Sequence, residues 1–271
     1  MRLKISIVVF SPDLNILIRT LNSLKIACKH SYINLNVLSE LDLIDNNPLY
    51  KNKENILSGL LEIQNKTFLK VKFINSPKNG GYGYGNNLSI KRDSFSDFHL
   101  ILNPDVLLSI NSITNAIKYM VNNKNVGLIT PHVTGLDKTF HFTCKKNPTL
   151  FDMIIRGVPG LKLVFSKRNA EYEMRNLNFS NIIKQINFPT GCFMFFRSSI
   201  LREIGGFDER FFLHYEDADI GRRVSIVSQC VYLPTVKIKH IWARETHKNI
   251  KMRIITVISG IKYFIKWGSF F

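Results

Sequence analysis

The densest group of chemically active side chains lies at residues 214–219, in the sequence HYEDAD. It supplies one histidine and three carboxylates, namely His214, Glu216, Asp217 and Asp219. The following residues, 220–227, are predicted to form a helix. The carboxylates therefore lie at a helix N-terminus, where unpaired N–H groups and the helix dipole stabilise negative charge. The cluster is explained either by helix capping or by a carboxylate that acts as a general base.

A second acidic turn follows an apolar strand far upstream. Residues 98–102 are predicted to form this strand, and Asn103, Pro104 and Asp105 come directly after it. In open α/β sheets, ligands bind beyond the carboxyl ends of the strands. Asp105 alone could equally serve as a turn residue. Together, the two acidic sites predict a metal-diphosphate site beside a general base.

A glycine-rich segment, NGGYGYGNN, occupies residues 79–87 and leads into a predicted helix. Glycines permit tight turns and let a ligand approach the backbone, and the following helix N-terminus can face an anion. The segment is not the dinucleotide-binding fingerprint, because its third glycine is misplaced and it follows the third predicted strand instead of the first. A surface turn and an anion-binding loop both remain open.

Strands and helices alternate along the first half of the chain. The predicted strands there are residues 3–10, 36–44, 69–74, 98–102 and 126–130, with helical patterns between them. This alternation predicts a parallel, doubly wound sheet up to residue 131. Residues 132–185 are basic and lack clear periodicity, and we expect them to form an elaborated connection that flanks the active site. Strand patterns return at residues 188–196 and 230–238.

The composition indicates a folded protein with a marked positive charge. The chain has 271 residues and a formal net charge of +17. Four widely spaced cysteines without a CxxC pair, and no secretory signal, predict reduced thiols in a cytosolic protein. The charge suggests either nucleic acid or an anionic membrane surface as partner. The basic residues form no recognisable nucleic-acid motif, so the membrane is favoured and no specific nucleic acid is expected.

Residues 248–267 show helical periodicity, while no run of 18 apolar residues predicts a transmembrane helix. One predicted face carries Ile250, Ile254, Val257, Ile258, Ile261, Phe264 and Ile265. Another carries lysines. Such a basic amphipathic helix fits a membrane interface, particularly with Tyr263 and Trp267. The alternative is a terminal helix that docks on the core and exposes its lysines.

Assembled in this order, the motifs resemble the family 2 glycosyltransferases with the GT-A fold, and in particular the bacterial rhamnosyltransferase-like members that build O-antigen and other surface polysaccharides. The resemblance covers residues 3–131 and 186–247. It rests on Phe10-Ser11-Pro12, Asp45-Asn46-Asn47, residues 79–87, residues 102–105, Thr190-Gly191, residues 205–212, Glu216-Asp217 and His240.

The resemblance implies an α/β architecture, with a Rossmann-like, mostly parallel central sheet flanked by helices and a C-terminal amphipathic helix. Residues 1–247 would form a single glycosyltransferase domain. Within it, residues 1–131 would be the nucleotide-sugar half and residues 132–247 the acceptor and catalytic half. Residues 248–271 would form the basic helix.

The family also implies roles for individual residues. Asp217 matches the expected general base, and Asp105 and His240 match residues that hold Mg²⁺ or Mn²⁺ on the diphosphate. Asn103 replaces the first Asp of the DxD metal motif, which suggests looser metal binding. The implied nucleotide-binding residues are Phe10, Ser11, Pro12, Asp45, Asn46, Gly81, Tyr82, Asn87 and Asn103. Thr190, Gly191 and Glu216 would lie around the acceptor. From their charge and their proximity in sequence to His240, and not from the family, Arg244 and Lys248 could add phosphate contacts.

The resemblance implies an inverting, metal-dependent transferase on the cytoplasmic face of the bacterial inner membrane, bound peripherally. It would transfer a deoxysugar, rhamnose from dTDP-L-rhamnose, to a lipid-linked saccharide acceptor. A UDP-sugar donor is the alternative within the same class, because residues that bind the base do not select the sugar. A catalytically silent nucleotide-binding or nucleic-acid-binding protein is the alternative from another class.

Overall fold

The computed structural model describes residues 1–50, 53–241 and 250–268. Its strands are β1 (Arg2–Val9), β2 (Leu38–Asp45), β3 (Leu69–Asn75), β4 (Phe98–Leu102), β5 (Val106–Leu108), β6 (Val126–Thr134), β7 (Ile183–Lys184), β8 (Phe193–Arg197) and β9 (Gln229–His240). Its helices are α1 (Leu14–Leu35), α2 (Lys53–Ile63), α3 (Tyr82–Ile90), α4 (Ser112–Asn122), α5 (Leu150–Gly157), α6 (Leu161–Val164), α7 (Ser166–Tyr172), α8 (Ser198–Glu203), α9 (Glu216–Val227) and α10 (Ile250–Trp267).

One mixed sheet contains the described strands, in the order β3-β2-β1-β4-β8-β6-β9-β5, with β7 paired to β9. Strands β3, β2, β1 and β4 run parallel to one another. This is the half that the alternation of strands and helices predicted. Strand β1 is apolar at most positions and buried from its second residue onward, because helices cover both faces of the sheet.

Parallel strands bring their carboxyl ends to one edge of the sheet. Phe10 follows β1, Asp45 ends β2 and Asn103 follows β4. Strand β8 runs antiparallel to β4 with Phe193 opposite Leu102, so the residues that precede β8 return to this same edge. The sheet register therefore gathers segments from four distant parts of the sequence.

The carboxyl-terminal half of the sheet contains the antiparallel pairs. Strand β9 pairs in parallel with β6 and antiparallel with β5, and its last residue, His240, lies opposite Val106. The short strands β5 and β7 have no counterpart among the sequence predictions. They are only three and two residues long, too short for a periodic pattern to mark them.

Residues 132–185, expected to be an elaborated connection, contain helices α5, α6 and α7 and strand β7. The last described helix, α10, packs against part of this segment: Met153 of α5 lies next to Gly260. Tyr263 and Phe264 of α10 are 0% and 1% exposed and belong to an apolar cluster with Phe211 and Ala218. Among the described residues, no helix is both long and apolar enough to cross a membrane.

Candidate active site

Asp217 is the second residue of helix α9 and follows an unusual backbone turn. His214 and Tyr215 both have φ values of +65°, in the left-handed region that residues with a Cβ rarely adopt. Strained conformations of this kind persist only where the surrounding structure fixes them, and they cluster at functional sites. The turn determines the direction in which the first helical turn presents Glu216 and Asp217.

The Asp217 carboxylate is half-buried and held by backbone donors. Gly191 N donates a hydrogen bond of 3.1 Å to Oδ2, and Ala218 N donates one of 2.9 Å to Oδ1. Burial raises the pKa of Asp217, and the positive charges of Lys145 and His214 oppose that increase. The site thus contains an oriented carboxylate that is more basic than an exposed one.

Glu216 lies beside Asp217 but in a drier environment. It is 5% exposed, and its Oε2 has no hydrogen-bond partner among the described residues. Burial, together with the neighbouring Asp217 charge, raises the pKa of Glu216 well above its usual range. These environments favour a protonated Glu216 and leave Asp217 as the better candidate base.

Asp105 and His240 form the second polar centre of the site. The turn after β4 positions Asp105, and β9 ends at His240. Their side chains meet with 3.1 Å between Asp105 Oδ1 and His240 Nε2. Their side chains are 26% and 11% exposed, so the pair remains accessible to a ligand. The sequence separation is 135 residues, and the antiparallel pairing of β5 with β9 brings the two together.

Cys192 lies between the two acidic centres. It is 3% exposed, and its pKa is raised to about 12, first by burial and then by the charge of Asp105, with Asp217 contributing in the same direction. Asn103 N donates a 2.9 Å hydrogen bond to Cys192 O. Cys192 is therefore an inert thiol on which the charges of both carboxylates act.

The predicted nucleotide-binding segments converge at the ends of β1 and β2. Asn47 Nδ2 donates to Ser11 Oγ at 2.9 Å, which joins the turn after β1 to the turn after β2. Asp45 is 1% exposed, and its Oδ1 accepts a hydrogen bond from Asn47 N. Within the described residues, Asp45 Oδ2 and Asn46 Oδ1 are buried without a hydrogen-bond partner, although Lys53 Nζ lies 3.5 Å from Asp45 Oδ2. Buried oxygens of this kind are available to ligand donors.

Hydrogen bonds connect this region to the candidate base. Asn46 Nδ2 donates to Gly81 O at 2.9 Å, and the next residue, Tyr82, donates through its hydroxyl to Gly191 O at 2.8 Å. Gly191 N in turn contacts Asp217. Gly81 has a φ of +91°, and a Cβ there would lie 2.0 Å from Phe212 O, so this position requires glycine.

The remaining predicted site residues differ in how exposed their side chains are to a ligand. Phe10 lies at the rim of the candidate site and is 55% exposed. Pro12, two residues later, and Thr190, which precedes Gly191, are half-buried. Asn87 is 2% exposed, and its amide bonds Phe207 O, Phe207 N and Glu209 Oε1. The Asn87 side chain thus holds the turn at Phe207, and its contact with a nucleotide stays a prediction.

Residues of the segment 132–185 also lie near Asp217, and the sequence motifs did not identify them. Lys145 lies close enough for its charge to act on Asp217, and its Nζ is 4.7 Å from the centre of the Phe188 ring. Burial lowers the pKa of Lys145, and the nearby Arg156 lowers it further. Arg156 bonds Glu173 Oε1 at 2.7 Å. A basic region without periodicity was the only sequence signal.

A bound divalent cation is compatible with this donor set. Asp105 offers a carboxylate, His240 an imidazole, and the Oδ1 of Asn103 is buried without a hydrogen-bond partner among the described residues. No group of three or more His, Cys, Asp or Glu residues within the described ranges could hold a metal by itself. The residues present therefore fit a cation that takes its remaining ligands from substrate and water. Arg244 and Lys248, predicted to contact phosphate, lie outside the described residues.

Comparisons with known proteins agree with these features. The chain is 24% identical over 168 residues to rhamnosyltransferase WbbL of Escherichia coli K12, covering 59% of this chain and 60% of that protein. It is also 24% identical over 190 residues to an N-acetylglucosaminyl-diphospho-decaprenol L-rhamnosyltransferase of Mycobacterium tuberculosis, covering 66% and 61%. The chain thus spans about three fifths of the length of these relatives. No protein-family model matches it.

Among solved structures, a mannosyltransferase from Pyrobaculum calidifontis in complex with GDP-Man and Mn²⁺ matches with a TM-score of 0.64 and 13% identity, over 97% of this chain and 63% of the other. The structure of GalNAc-T7 with UDP, GalNAc and Mn²⁺ matches with a TM-score of 0.62 and 12% identity, over 89% and 43%. The predicted GT-A fold is confirmed, and so is the resemblance to glycosyltransferases of the rhamnosyltransferase type.

Proposed function

We propose that the protein is an inverting glycosyltransferase that transfers L-rhamnose from dTDP-L-rhamnose to a lipid-linked saccharide in bacterial surface polysaccharide synthesis. The observation that carries this proposal is the hydrogen-bonded path from Asn46 through Gly81, Tyr82 and Gly191 to Asp217. It joins a candidate nucleotide site to an oriented carboxylate at one edge of a GT-A sheet. The names of the two rhamnosyltransferase relatives support the sugar, and the diphospho-decaprenol in one of them supports a lipid-linked acceptor.

In this proposal Asp217 is the general base. An acceptor hydroxyl is a poor nucleophile until a carboxylate within hydrogen-bond reach accepts its proton as the new bond forms. Gly191 N and Ala218 N fix the carboxylate orientation, and its elevated pKa makes it a stronger base. Attack on the face of the sugar opposite to the leaving diphosphate inverts the anomeric centre.

The leaving diphosphate would lie beside Asp105 and His240, which would hold Mg²⁺ or Mn²⁺. When bound, such a cation stabilises negative charge that develops on the departing diphosphate. The buried oxygens of Asp45 and Asn46 would accept hydrogen bonds from the base and so retain the nucleotide. Phe10, Ser11 and Pro12 would line the same region, and Thr190 and Glu216 would lie toward the acceptor.

A lipid-linked acceptor implies work at a membrane surface. We propose peripheral association with the cytoplasmic face of the bacterial inner membrane. Residues 1–247 would provide the catalytic domain. Residues 132–185 would help to select the acceptor, because Lys145 of that segment acts on Asp217 and Arg156 acts on Lys145.

Thermal stabilisation by dTDP-, UDP- and GDP-sugars, with and without Mn²⁺, tests the donor. A ligand at a hundred times its Kd adds about 2.7 kcal/mol to the free energy of unfolding, which is readily measured. We expect a metal-dependent shift with dTDP-rhamnose, which Asp105→Ala weakens and the loop variant Asp137→Ala preserves. A shift with UDP-sugars alone would change the donor and keep the mechanism. The absence of a shift with every nucleotide sugar, in folded protein, would contradict the proposal.

A further inference from the structure

Helix α10 has one buried face and one exposed apolar face. Ser259, Gly260, Tyr263 and Phe264 are buried. The opposite side exposes six branched aliphatic side chains, here called the aliphatic face, each 45–73% exposed: Ile250, Ile254, Val257, Ile258, Ile261 and Ile265. At about 100° per residue these six fall within an arc of roughly 100°. Helix α10 therefore docks on the core, as one of the two sequence alternatives proposed, but the predicted apolar stripe stays exposed apart from Phe264.

A stripe of this size differs from isolated exposed apolar residues, which are normal on protein surfaces. Helix α6 also exposes aliphatic side chains. Helix α5 packs on α10 through Met153 and Gly260, and α6 follows α5 after three residues. Leu163 and Val164 of α6 are 82% and 74% exposed. Exposed aliphatic side chains thus occur on α10 and also on α6, which is connected to α10 through α5.

The charge around the aliphatic face identifies the partner. Residues Ile250–Trp267 carry four basic and no acidic side chains, namely Lys251, Arg253, Lys262 and Lys266. Lys266 pairs with Asp208 and Asp219, and Lys262 donates to the Arg210 carbonyl oxygen without an ion pair among the described residues. The positive charge offered to a partner therefore comes from Lys251, Arg253 and Lys262. Lys251 and Lys262 flank one border of the stripe at helical spacing. An anionic surface complements this arrangement, whereas a second copy of a chain with a net charge of +17 would place like charges together.

We infer that the aliphatic face of α10, together with Leu163 and Val164, docks on an anionic lipid bilayer. Branched aliphatic side chains enter the boundary between headgroups and acyl chains, and neighbouring lysines contact anionic headgroups. The helix lies in the plane of the surface and does not cross it.

This orientation suits the candidate site. The Tyr215 ring lies 5.5 Å from the Tyr263 ring and 5.9 Å from the Phe264 ring, and Tyr215 directly precedes Glu216 and Asp217. Roughly one helix diameter, about 10 Å, therefore separates the bilayer surface from the turn that holds the candidate base. The advantage of placing the candidate base near the bilayer rests on the proposed function, transfer to a lipid-linked acceptor.

Co-sedimentation with vesicles tests the inference. The probe is an equimolar mixture of phosphatidylglycerol and phosphatidylcholine, compared with phosphatidylcholine alone. We expect the wild type to bind the anionic vesicles, and Ile254→Gln/Ile261→Gln/Ile265→Gln to reduce the partition coefficient at least about tenfold. Leu163→Gln/Val164→Gln should reduce it by a smaller factor. Glutamine retains helix propensity.

A matched control variant replaces three exposed aliphatic residues on other helices with glutamine. Ile33, Leu61 and Ile226 are 69%, 69% and 70% exposed on α1, α2 and α9, and their triple replacement by glutamine should leave vesicle binding unchanged. Circular dichroism and the unfolding midpoint verify that each variant is folded. Equal loss in the control variant would mean that binding is not specific to the aliphatic face.

Two outcomes would overturn the inference directly. One is wild-type vesicle binding by the folded α10 variant. The other is a lipid-free wild-type dimer, measured by light scattering, that the α10 variant converts to monomer, since the occupant would then be a second copy. Vesicle binding requires neither donor nor acceptor. A protein that binds vesicles but transfers no sugar would contradict the proposed function alone, and transfer to a water-soluble acceptor without vesicle binding would contradict this inference alone.

Discussion

Trp267 Nε1 donates a hydrogen bond of 2.9 Å to Asp219 Oδ1 and so joins helix α10 to helix α9, whose first turn carries the candidate base. Asp219 is fully buried and also pairs with Arg223 and Lys266, at 2.8 Å and 2.6 Å. A buried carboxylate with three donors has a structural role. Asp219 is thus assigned to helix packing, and Asp217 remains the candidate base.

Trp267→Phe should lower the free energy of unfolding by about 1.5–3 kcal/mol, because it removes a hydrogen bond to a buried charged group. Urea denaturation measures the change. Lys91→Met is the comparison: it breaks an ion pair with Glu209 in which the side chains are 66% and 38% exposed, and it should cost less than about 1 kcal/mol. Equal effects in the two variants would show that α10 is not fixed through Asp219.

Asp217→Asn should reduce sugar transfer by roughly a hundredfold or more and leave donor affinity nearly unchanged, because the amide cannot accept the acceptor proton. Single-turnover transfer and donor titration separate the two quantities. Asp137→Asn, in an exposed turn, is the control and should retain activity. A comparable loss of donor affinity in the Asp217 variant would assign this carboxylate to binding instead of proton transfer.

Glu216 should make the protein less stable as the pH rises. Burial and the Asp217 charge raise the pKa of Glu216 in the folded state, so above the unfolded value of about 4.3 the folded state binds more protons. The unfolding free energy then decreases with pH, at up to about 1.4 kcal/mol per pH unit for one group, until the pH exceeds the folded pKa. Glu216→Gln should flatten this decrease.

Glu209 should have the opposite effect on the pH dependence of stability, and Glu209→Gln tests it. Hydrogen bonds from Asn87 and Lys91 outweigh the effect of burial and lower the pKa of Glu209, so its contribution to stability is present above the unfolded pKa and is lost as the pH falls through the folded pKa. Chemical denaturation across a pH series measures both variants. A pH slope that Glu216→Gln leaves unchanged would contradict the protonated state assigned to Glu216.

Gly81→Ala should destabilise the protein by several kcal/mol or prevent folding, because the residue combines a φ of +91° with a Cβ position 2.0 Å from Phe212 O. Gly157→Ala is the matched control: a Cβ there meets nothing within 4 Å, so stability should change by about 1 kcal/mol or less. Thermal unfolding distinguishes the two. A Gly81→Ala protein with wild-type stability would show that the loop adopts a different conformation.

Part of the site could be predicted because local sequence patterns determine where its strands end. The apolar runs that became β1 and β4 end at Ser11 and Asn103, and parallel strands must deliver such residues to one edge of the sheet. The partners of the Asn87 side chain could not be predicted, for the converse reason. Its position at the end of the glycine-rich segment suggested a ligand contact, but its partners, Phe207 and Glu209, are 120 and 122 residues away.

The sequence by itself determined the alternating α/β pattern, the acidic turns at Asp105 and Asp217, and the basic amphipathic helix, because each depends on residue types at short, regular spacing. Only the tertiary structure decided that Asp105 meets His240, that Lys145 borders Asp217, and that α10 buries Tyr263 while its isoleucines face outward. These relationships depend on strand register and helix docking. Both arise from packing between segments that are distant in the sequence, or from choices between helix faces of similar apolar character.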